Sequence, residues 1–324
     1  MILDKIREIG HYTKNGEFSK MNERNFHALL QNRWDNGFFA CVGLDLDPKK
    51  IPEVVLGKTP AERALTFGRV IVSATANFVC AYKLNSAFFE AMGKQGLETL
   101  GQLVTFIHQE APEIPVIMDG KRGDIGNTSS AYAAAAFDFL RADAVTLSPY
   151  LGAEALQPFL NRPEKGIIVL CRTSNPGASE FQDLKIGLTG EQLHSLLNGP
   201  ARKLGTTESW NPQMPLFQYL ALRVANHWNV NGNCALVVGA TYPEELKVVR
   251  QSVGDMPILI PGIGRQGGDL EKTIAAGINS QRQGVIINSS RAIIFASSGE
   301  DFAVAARREV MKLHEQISQC IKGD

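Results

Sequence analysis

Asp119, Lys121 and Asp124 fall within the six residues DGKRGD, which open at the end of the short apolar run PVIMD (115–119). Two carboxylates that share a site with a lysine keep its ammonium charged and restrain it, while repelling any third anion brought between them. Asp119 and Lys121 have the spacing of residues on one face of a strand, and Gly123 lets the chain turn before Asp124, so all three are expected to converge. Lys83, near the end of FVCAYKLN (78–85), adds a second cation, with Asn85 at strand spacing beside it. The expected array alternates Lys83, Asp119, Lys121, Asp124. In isolation DGKRGD would read as a solvated loop and Lys83 as a lysine snorkelling at a rim. Their common placement at the ends of apolar runs favours chemistry.

A second group of residues has the makings of an anion grip. After PILIPG (257–262) the chain continues as PGIGRQGGD, and GVIINSS (284–290) leads into NSSRAI. Gly262 and Gly264 allow backbone N–H groups to approach an oxyanion, and Arg291 offers a bidentate clamp. A helix starting near Ala292 would aim its positive end at the same spot.

These residues need a frame. Eight apolar runs recur along the chain: FFACVGLD (38–45), FVCAYKLN (78–85), PVIMD (115–119), AVTLS (144–148), GIIVLC (166–171), CALVVGA (234–240), PILIPG (257–262) and GVIINSS (284–290). Continuously apolar strands, in place of alternating ones, are what a parallel sheet covered by helices requires. The intervening TPAERALTFGRVIVSATAN carries helical periodicity. Eight such units predict an α/β fold, a single (β/α)8 TIM barrel, whose chemistry sits in the loops after the C-terminal strand ends. The polar residues gather there: Asp45 and Asp47, Lys83 and Asn85, the DGKRGD cluster, Thr173 to Asn175, Gly262 to Gln266, and Ser289 to Arg291. No GxGxxG element follows the first run, which speaks against a dinucleotide-binding fold.

Two segments depart from the pattern. Residues 1–35 precede the first strand as an N-terminal helical extension, in which FHALLQNRW is expected to close the bottom of the barrel. A long insertion, about 175–230, follows strand five and is too long for a simple βα connection, so it is expected to act as a lid or to supply substrate contacts. The barrel domain then runs over 36–324.

The chain has 33 basic and 33 acidic side chains, so no net field favours nucleic acid or an anionic membrane, and an anionic ligand has to be held by local groups. No apolar run approaches the roughly 20 residues of a membrane-spanning helix. MILDKIREIGHYTKNG lacks the apolar core of a secretory signal, and a cytoplasmic protein is expected. The five cysteines form no CxxC pair, and Cys41, Cys80, Cys171 and Cys234 read as small buried hydrophobes. The six histidines lie away from the strand ends. No metal-ligand spacing is present, and neither a metal nor another cofactor is expected.

With GLDLD, YKLNSAFFE, MDGKRGDIGNT, CRTSNPGA and IPGIGRQGGD in place, the sequence resembles the orotidine 5′-phosphate decarboxylase family, in particular its longer subgroup, from about residue 38 onward. The resemblance implies cofactor-free decarboxylation of orotidine 5′-phosphate to uridine 5′-phosphate, with Lys121 protonating C6, Asp119 and Asp124 beside the departing carboxylate, and Lys83 completing the array. It implies that Asp45 contacts ribose hydroxyls together with Lys83 and Asn85, and that Thr173 and Ser174 face the pyrimidine. Gln266, Arg291, Ser290 and the backbone of Gly264 and Arg265 would hold the phosphate. It further implies a homodimer with shared sites, to which Asp124, Ile125 and Thr128 are lent across the interface. NSSR departs from the family pattern by carrying Ser290 where a glycine is expected before the arginine. Two alternatives stand beside this reading: a metal-dependent sugar-phosphate aldolase or synthase on a related barrel, and a non-catalytic nucleotide-binding barrel.

Overall fold

The computed structural model of this chain describes residues 24–200, 211–263 and 269–323. All eight apolar runs form strands: β1 (Ala40–Gly43), β2 (Val79–Asn85), β3 (Val116–Arg122), β4 (Ala144–Leu147), β5 (Gly166–Arg172), β8 (Cys234–Val238), β9 (Ile258–Pro261) and β10 (Val285–Ser289). They close in the order β1-β10-β9-β8-β5-β4-β3-β2, with every neighbouring pair parallel. Helices on the outside cover the apolar outer faces, while the inner faces stack into the centre, so the strands are buried on both sides as their composition requires. The helix Pro60–Thr75 illustrates the local logic: Thr59 caps it by accepting from the Glu62 N–H at 3.2 Å, and Pro60 occupies the first turn, where its missing N–H is not needed. The buried residues of that helix include Ala64, Phe67 and Ile71, at the spacing of one helical face.

The expected closure of the barrel bottom is present. The helix Phe26–Asp35 buries Phe26, Leu30 and Trp34. Trp34 donates to the Val285 carbonyl at 2.9 Å and Arg33 to that of Val79 at 2.9 Å, so the helix is tied to the first residues of two strands. Gly166, the first residue of β5, has no side chain because Phe26 occupies the space: a Cβ there would overlap the Phe26 ring and lie 2.7 Å from the Ala144 Cβ. Arg24, just before this helix, and His108 converge on the fully buried Asp143, with Arg24 Nε 2.8 Å from its Oδ1. Burial opposes the charge of Asp143, but His108 and Arg24 hold its carboxyl down at about 2. Residues 1–23 of the expected extension lie outside the described residues.

Between β5 and β8 the chain makes a short helical turn, Pro176–Glu180, a two-stranded antiparallel ribbon of β6 (Lys185–Gly187) and β7 (Gln213–Pro215), and the helices Gly190–Leu197 and Leu216–Arg223. Leu196, Met214 and Leu222 form a small core of their own. Phe217, Ala221 and Val224, in contrast, belong to the main core, so the helix Leu216–Arg223 serves as the outer helix that follows β5. What stands outside the barrel pattern is the stretch before that helix. Among the described residues no helix is long and apolar enough to cross a membrane.

Candidate active site

At the C-terminal ends of the strands lies a cavity of about 470 Å³, lined among others by Asp45, Lys83, Asn85, Asp119, Lys121, Thr173, Ser174, Ser290 and Arg291. This size is typical of small-molecule sites, which run from about 300 to 1,000 Å³. Residues that the sequence scatters over almost 250 positions therefore share one wall-to-wall space.

Its charged floor is a chain of ion pairs. Lys83 Nζ donates to Asp119 Oδ2 at 2.8 Å, and Lys121 Nζ donates to Asp119 Oδ1 at 2.7 Å. Lys83 and Asp119 are buried, whereas the Lys121 side chain is 49% exposed towards the open side of the site. Burial works against the Lys83 charge, but Asp119 and Asp45 outweigh it and hold its pKa above the ordinary lysine range. For Asp119 burial likewise opposes ionisation, and the two ammonium groups keep its carboxyl well below the usual range. Asp45 Oδ1 stands 3.8 Å from Lys83 Nζ, and among the described residues this buried atom has no hydrogen-bond partner. A buried acceptor without a donor at a cavity wall is suited to receive a ligand hydroxyl.

The three residues of the sequence cluster are not placed by simple strand alternation. Lys121 has a positive φ of 47°, unusual for a non-glycine residue, and β3 loses its register against β4 between Met118 and Arg122. Gly123 provides close approach: a Cβ there would meet the Ser148 carbonyl at 2.7 Å, and the left-handed glycine of this loop is Gly126. Asp124 does not join the array in its own chain. Its Oδ1 accepts from the Ile125 N–H at 2.8 Å, and neither it, Ile125 nor Thr128 lines the cavity. Ile125 is 60% exposed and Thr128 is exposed.

At the end of β10, Ser290 precedes and Arg291 begins the one-turn helix Arg291–Ile294. Ser290 in place of a glycine is accommodated by β1: Gly43 has no Cβ, where one would lie 2.8 Å from the Ser290 Cβ, and Ser290 Oγ donates to the Gly43 carbonyl at 2.8 Å. Gly264, Arg265 and Gln266 lie outside the described residues. Asn85 caps the helix Ser86–Glu90, accepting from the Ala87 N–H at 3.2 Å, which fixes its side chain at the rim.

Several residues of the site went unread in the sequence. Thr146, inside the run AVTLS, donates to Asp119 Oδ1 at 2.8 Å and accepts from the Lys121 N–H at 3.0 Å. A threonine among apolar residues reads as a β-branched strand former, and only its register against β3 gives it a role. Gln182 comes from the insertion: its Oε1 accepts from the Thr173 N–H at 2.8 Å and its Nε2 donates to Thr173 Oγ1 at 3.0 Å, beside the cavity. The neighbouring Asp183 pairs with the fully buried Arg172, which also donates to the Thr173 carbonyl at 2.8 Å and stacks 4.0 Å over the Tyr242 ring. The single clue in sequence was the arginine ending an apolar strand. Among the described residues no three His, Cys, Asp or Glu side chains gather as a metal-ligand set.

Known proteins share this architecture. The family model for "Orotidine 5'-phosphate decarboxylase / HUMPS family" matches residues 40–307. A protein of Cupriavidus taiwanensis named orotidine 5'-phosphate decarboxylase is 46% identical over 299 residues, covering 92% of this chain and 99% of its own. One of the same name from Cellvibrio japonicus is 42% identical over 294 residues, covering 90% and 98%. Among solved structures, that of Leishmania donovani OMP decarboxylase superposes with a TM-score of 0.73 at 34% identity, covering 92% of this chain and 98% of its own. Matched along nearly their full lengths by relatives at this identity, the chain belongs to the orotidine 5'-phosphate decarboxylase / HUMPS family.

Proposed function

We propose that this protein decarboxylates orotidine 5′-phosphate to uridine 5′-phosphate and CO₂ without a cofactor, with Lys121 as the acid. The observation that carries the reading is the Lys83–Asp119–Lys121 chain of ion pairs opening into the cavity. Loss of CO₂ leaves the electron pair of the broken bond on C6, so the site has to favour negative charge there over the ground-state carboxylate. An ammonium at Lys121, pinned by Asp119 at 2.7 Å and half-exposed towards the ligand space, meets that demand and delivers its proton to C6. Asp119, kept ionised by two lysines, stands beside the departing carboxylate and repels it. Lys83 holds Asp119 in place from the buried side.

The rest of the cavity divides by chemistry. Asp45, whose Oδ1 faces Lys83 at 3.8 Å without a hydrogen-bond donor among the described residues, receives ribose hydroxyls together with Lys83 and Asn85. Thr173 and Ser174 face the pyrimidine. Arg291 and Ser290, with Gln266 and the Gly264 and Arg265 backbone, hold the phosphate, whose remote binding energy organises the charged array. Asp124, Ile125 and Thr128 act in the site of a second copy, which makes the working unit a homodimer; their absence from their own cavity supports this. Residues 36–324 form the decarboxylase domain, with 1–35 as an extension; of the expected insertion, about 175–230, the part before the helix Leu216–Arg223 is the addition to the barrel. The reading includes a cytoplasmic location, which cell fractionation tests.

The ultraviolet absorbance of orotidine 5′-phosphate should fall on adding the protein, at a rate that a chelator leaves unchanged. Lys121→Ala should abolish that change while uridine 5′-phosphate still binds. Substantial residual turnover in Lys121→Ala would sink the assignment of the acid. A rate lost to the chelator would move the protein to the metal-dependent sugar-phosphate chemistry, and tight nucleotide binding with no turnover to a binding protein.

A further inference from the structure

The ladder between β3 and β4 pairs Met118 with Val145 and Arg122 with Leu147, which leaves Asp119, Gly120 and Lys121 opposite the single residue Thr146. Strand β3 bulges at the two residues on which the proposed chemistry depends. A bulge re-aims side chains but strands backbone groups that the ladder would have satisfied. Lys121 also holds its direction in a strained backbone: at φ 47° a non-glycine residue sits in the left-handed region that side chains disfavour.

Thr146 is placed to absorb both effects. Its hydroxyl carries one proton and two lone pairs. The Lys121 N–H is a donor only, so at 3.0 Å the Thr146 oxygen accepts from it. The hydroxyl proton is thereby free to be donated to Asp119 Oδ1 at 2.8 Å, the same oxygen that receives Lys121 Nζ at 2.7 Å. One buried oxygen thus bonds to the backbone of Lys121 and to the carboxylate that receives its ammonium. Resting on the proposed role of Lys121, we infer that Thr146 is a positioning residue that pins the β3 bulge and sets the direction of the Lys121 ammonium. It need not touch substrate to do this.

A hydroxyl and a methyl share the Thr146 Cβ, so two variants separate bonding from packing. Thr146→Val keeps the shape and removes both hydrogen bonds; Thr146→Ser keeps the bonds and removes the methyl. The expected result for Thr146→Val is a fall in kcat of about 10- to 100-fold, the effect of losing a hydrogen bond to a charged group, with KM changed by less than about threefold. Thr146→Ser should retain kcat within about threefold even where its Tm falls, because the loss there is of buried methyl contact. If valine does not fold, Thr146→Cys, whose thiol is a weak donor, carries the same expected loss. The inference is overturned if valine or cysteine keeps kcat within about threefold of the parent, or if serine loses as much kcat as they do. Lys121→Ala is assayed in parallel: turnover surviving in it defeats the proposed acid, whereas an inactive Lys121→Ala beside a fully active Thr146→Val defeats only this inference.

Discussion

Asp119 accepts from two ammonium groups and a hydroxyl, and that crowding sets how the site responds to pH. Its pKa is depressed, so its share of stability is complete above the ordinary carboxyl value of 3.8 and is lost as pH falls from there through the folded value. The Lys83 pKa is raised, so its share is complete below the ordinary 10.5 and is lost as pH rises from there through the folded value. Neither group changes charge between about pH 5 and 9 on these grounds, given ordinary values near 4 and 10. A plot of kcat/KM against pH over that range should show no ionisation belonging to either; an inflection abolished by Asp119→Asn would contradict this. Among the described residues, Asp119→Ala leaves the buried Lys83 with Asp45 alone, 3.8 Å away, and is expected to cost about 3–5 kcal/mol in urea unfolding, the usual effect of stranding a buried charge.

At the scale of elements, the insertion and the bottom helix each meet the barrel through closely packed side chains. Arg172 closes β5 and gathers Asp183, the Thr173 carbonyl and the Tyr242 ring around one guanidinium. Gln182, next to Asp183, is thereby held against Thr173 at the cavity. Removing the anchor should loosen ligand contacts more than chemistry: Arg172→Met is expected to raise KM for orotidine 5′-phosphate about tenfold, near 1.4 kcal/mol, with little change in kcat. An unchanged KM would mean that the insertion holds its place without Arg172. At the bottom, Gly166→Ala would force a methyl into the Phe26 ring, and the packed helix Phe26–Asp35 has little room to move. A loss of about 1–3 kcal/mol in chemical denaturation is expected, as for other overpacked sites.

At the scale of the whole molecule, the barrel brings eight strand ends to one cavity but leaves Asp124, Ile125 and Thr128 outside it. If those residues serve a partner, Lys121→Ala and Asp124→Ala should each be inactive alone and complement each other when mixed. Random exchange makes half the dimers mixed, each with one intact site, so about a quarter of the wild-type activity should return. A mixture that stays inactive after exchange, shown by native mass spectrometry, would argue that each chain works by itself.

The strands were legible because continuous apolar runs between helical stretches are a local property, and each of the eight became a barrel strand. Lys83, Asp119 and Lys121 were legible for the same reason, as strand-end positions in a barrel face one space, whereas Asp124, expected beside them, lies outside the cavity. Ser290 in place of a glycine was visible too, but its tolerance was not, since it depends on Gly43 at the other end of the chain. The bulge at Asp119–Lys121 and the place of Thr146 depend on how two strands pair, and the spacing of Asp119 and Lys121 alone pointed to ordinary alternation. The same holds for Gln182 and for the outer helix Leu216–Arg223, whose roles come from packing between segments far apart in the chain. Residue types and their periodicity determined which barrel forms and which strand ends carry charge; that Asp124 stays out of its own cavity and how the ammonium of Lys121 is aimed were decided only by tertiary structure, because register and close approach are properties of pairs of segments.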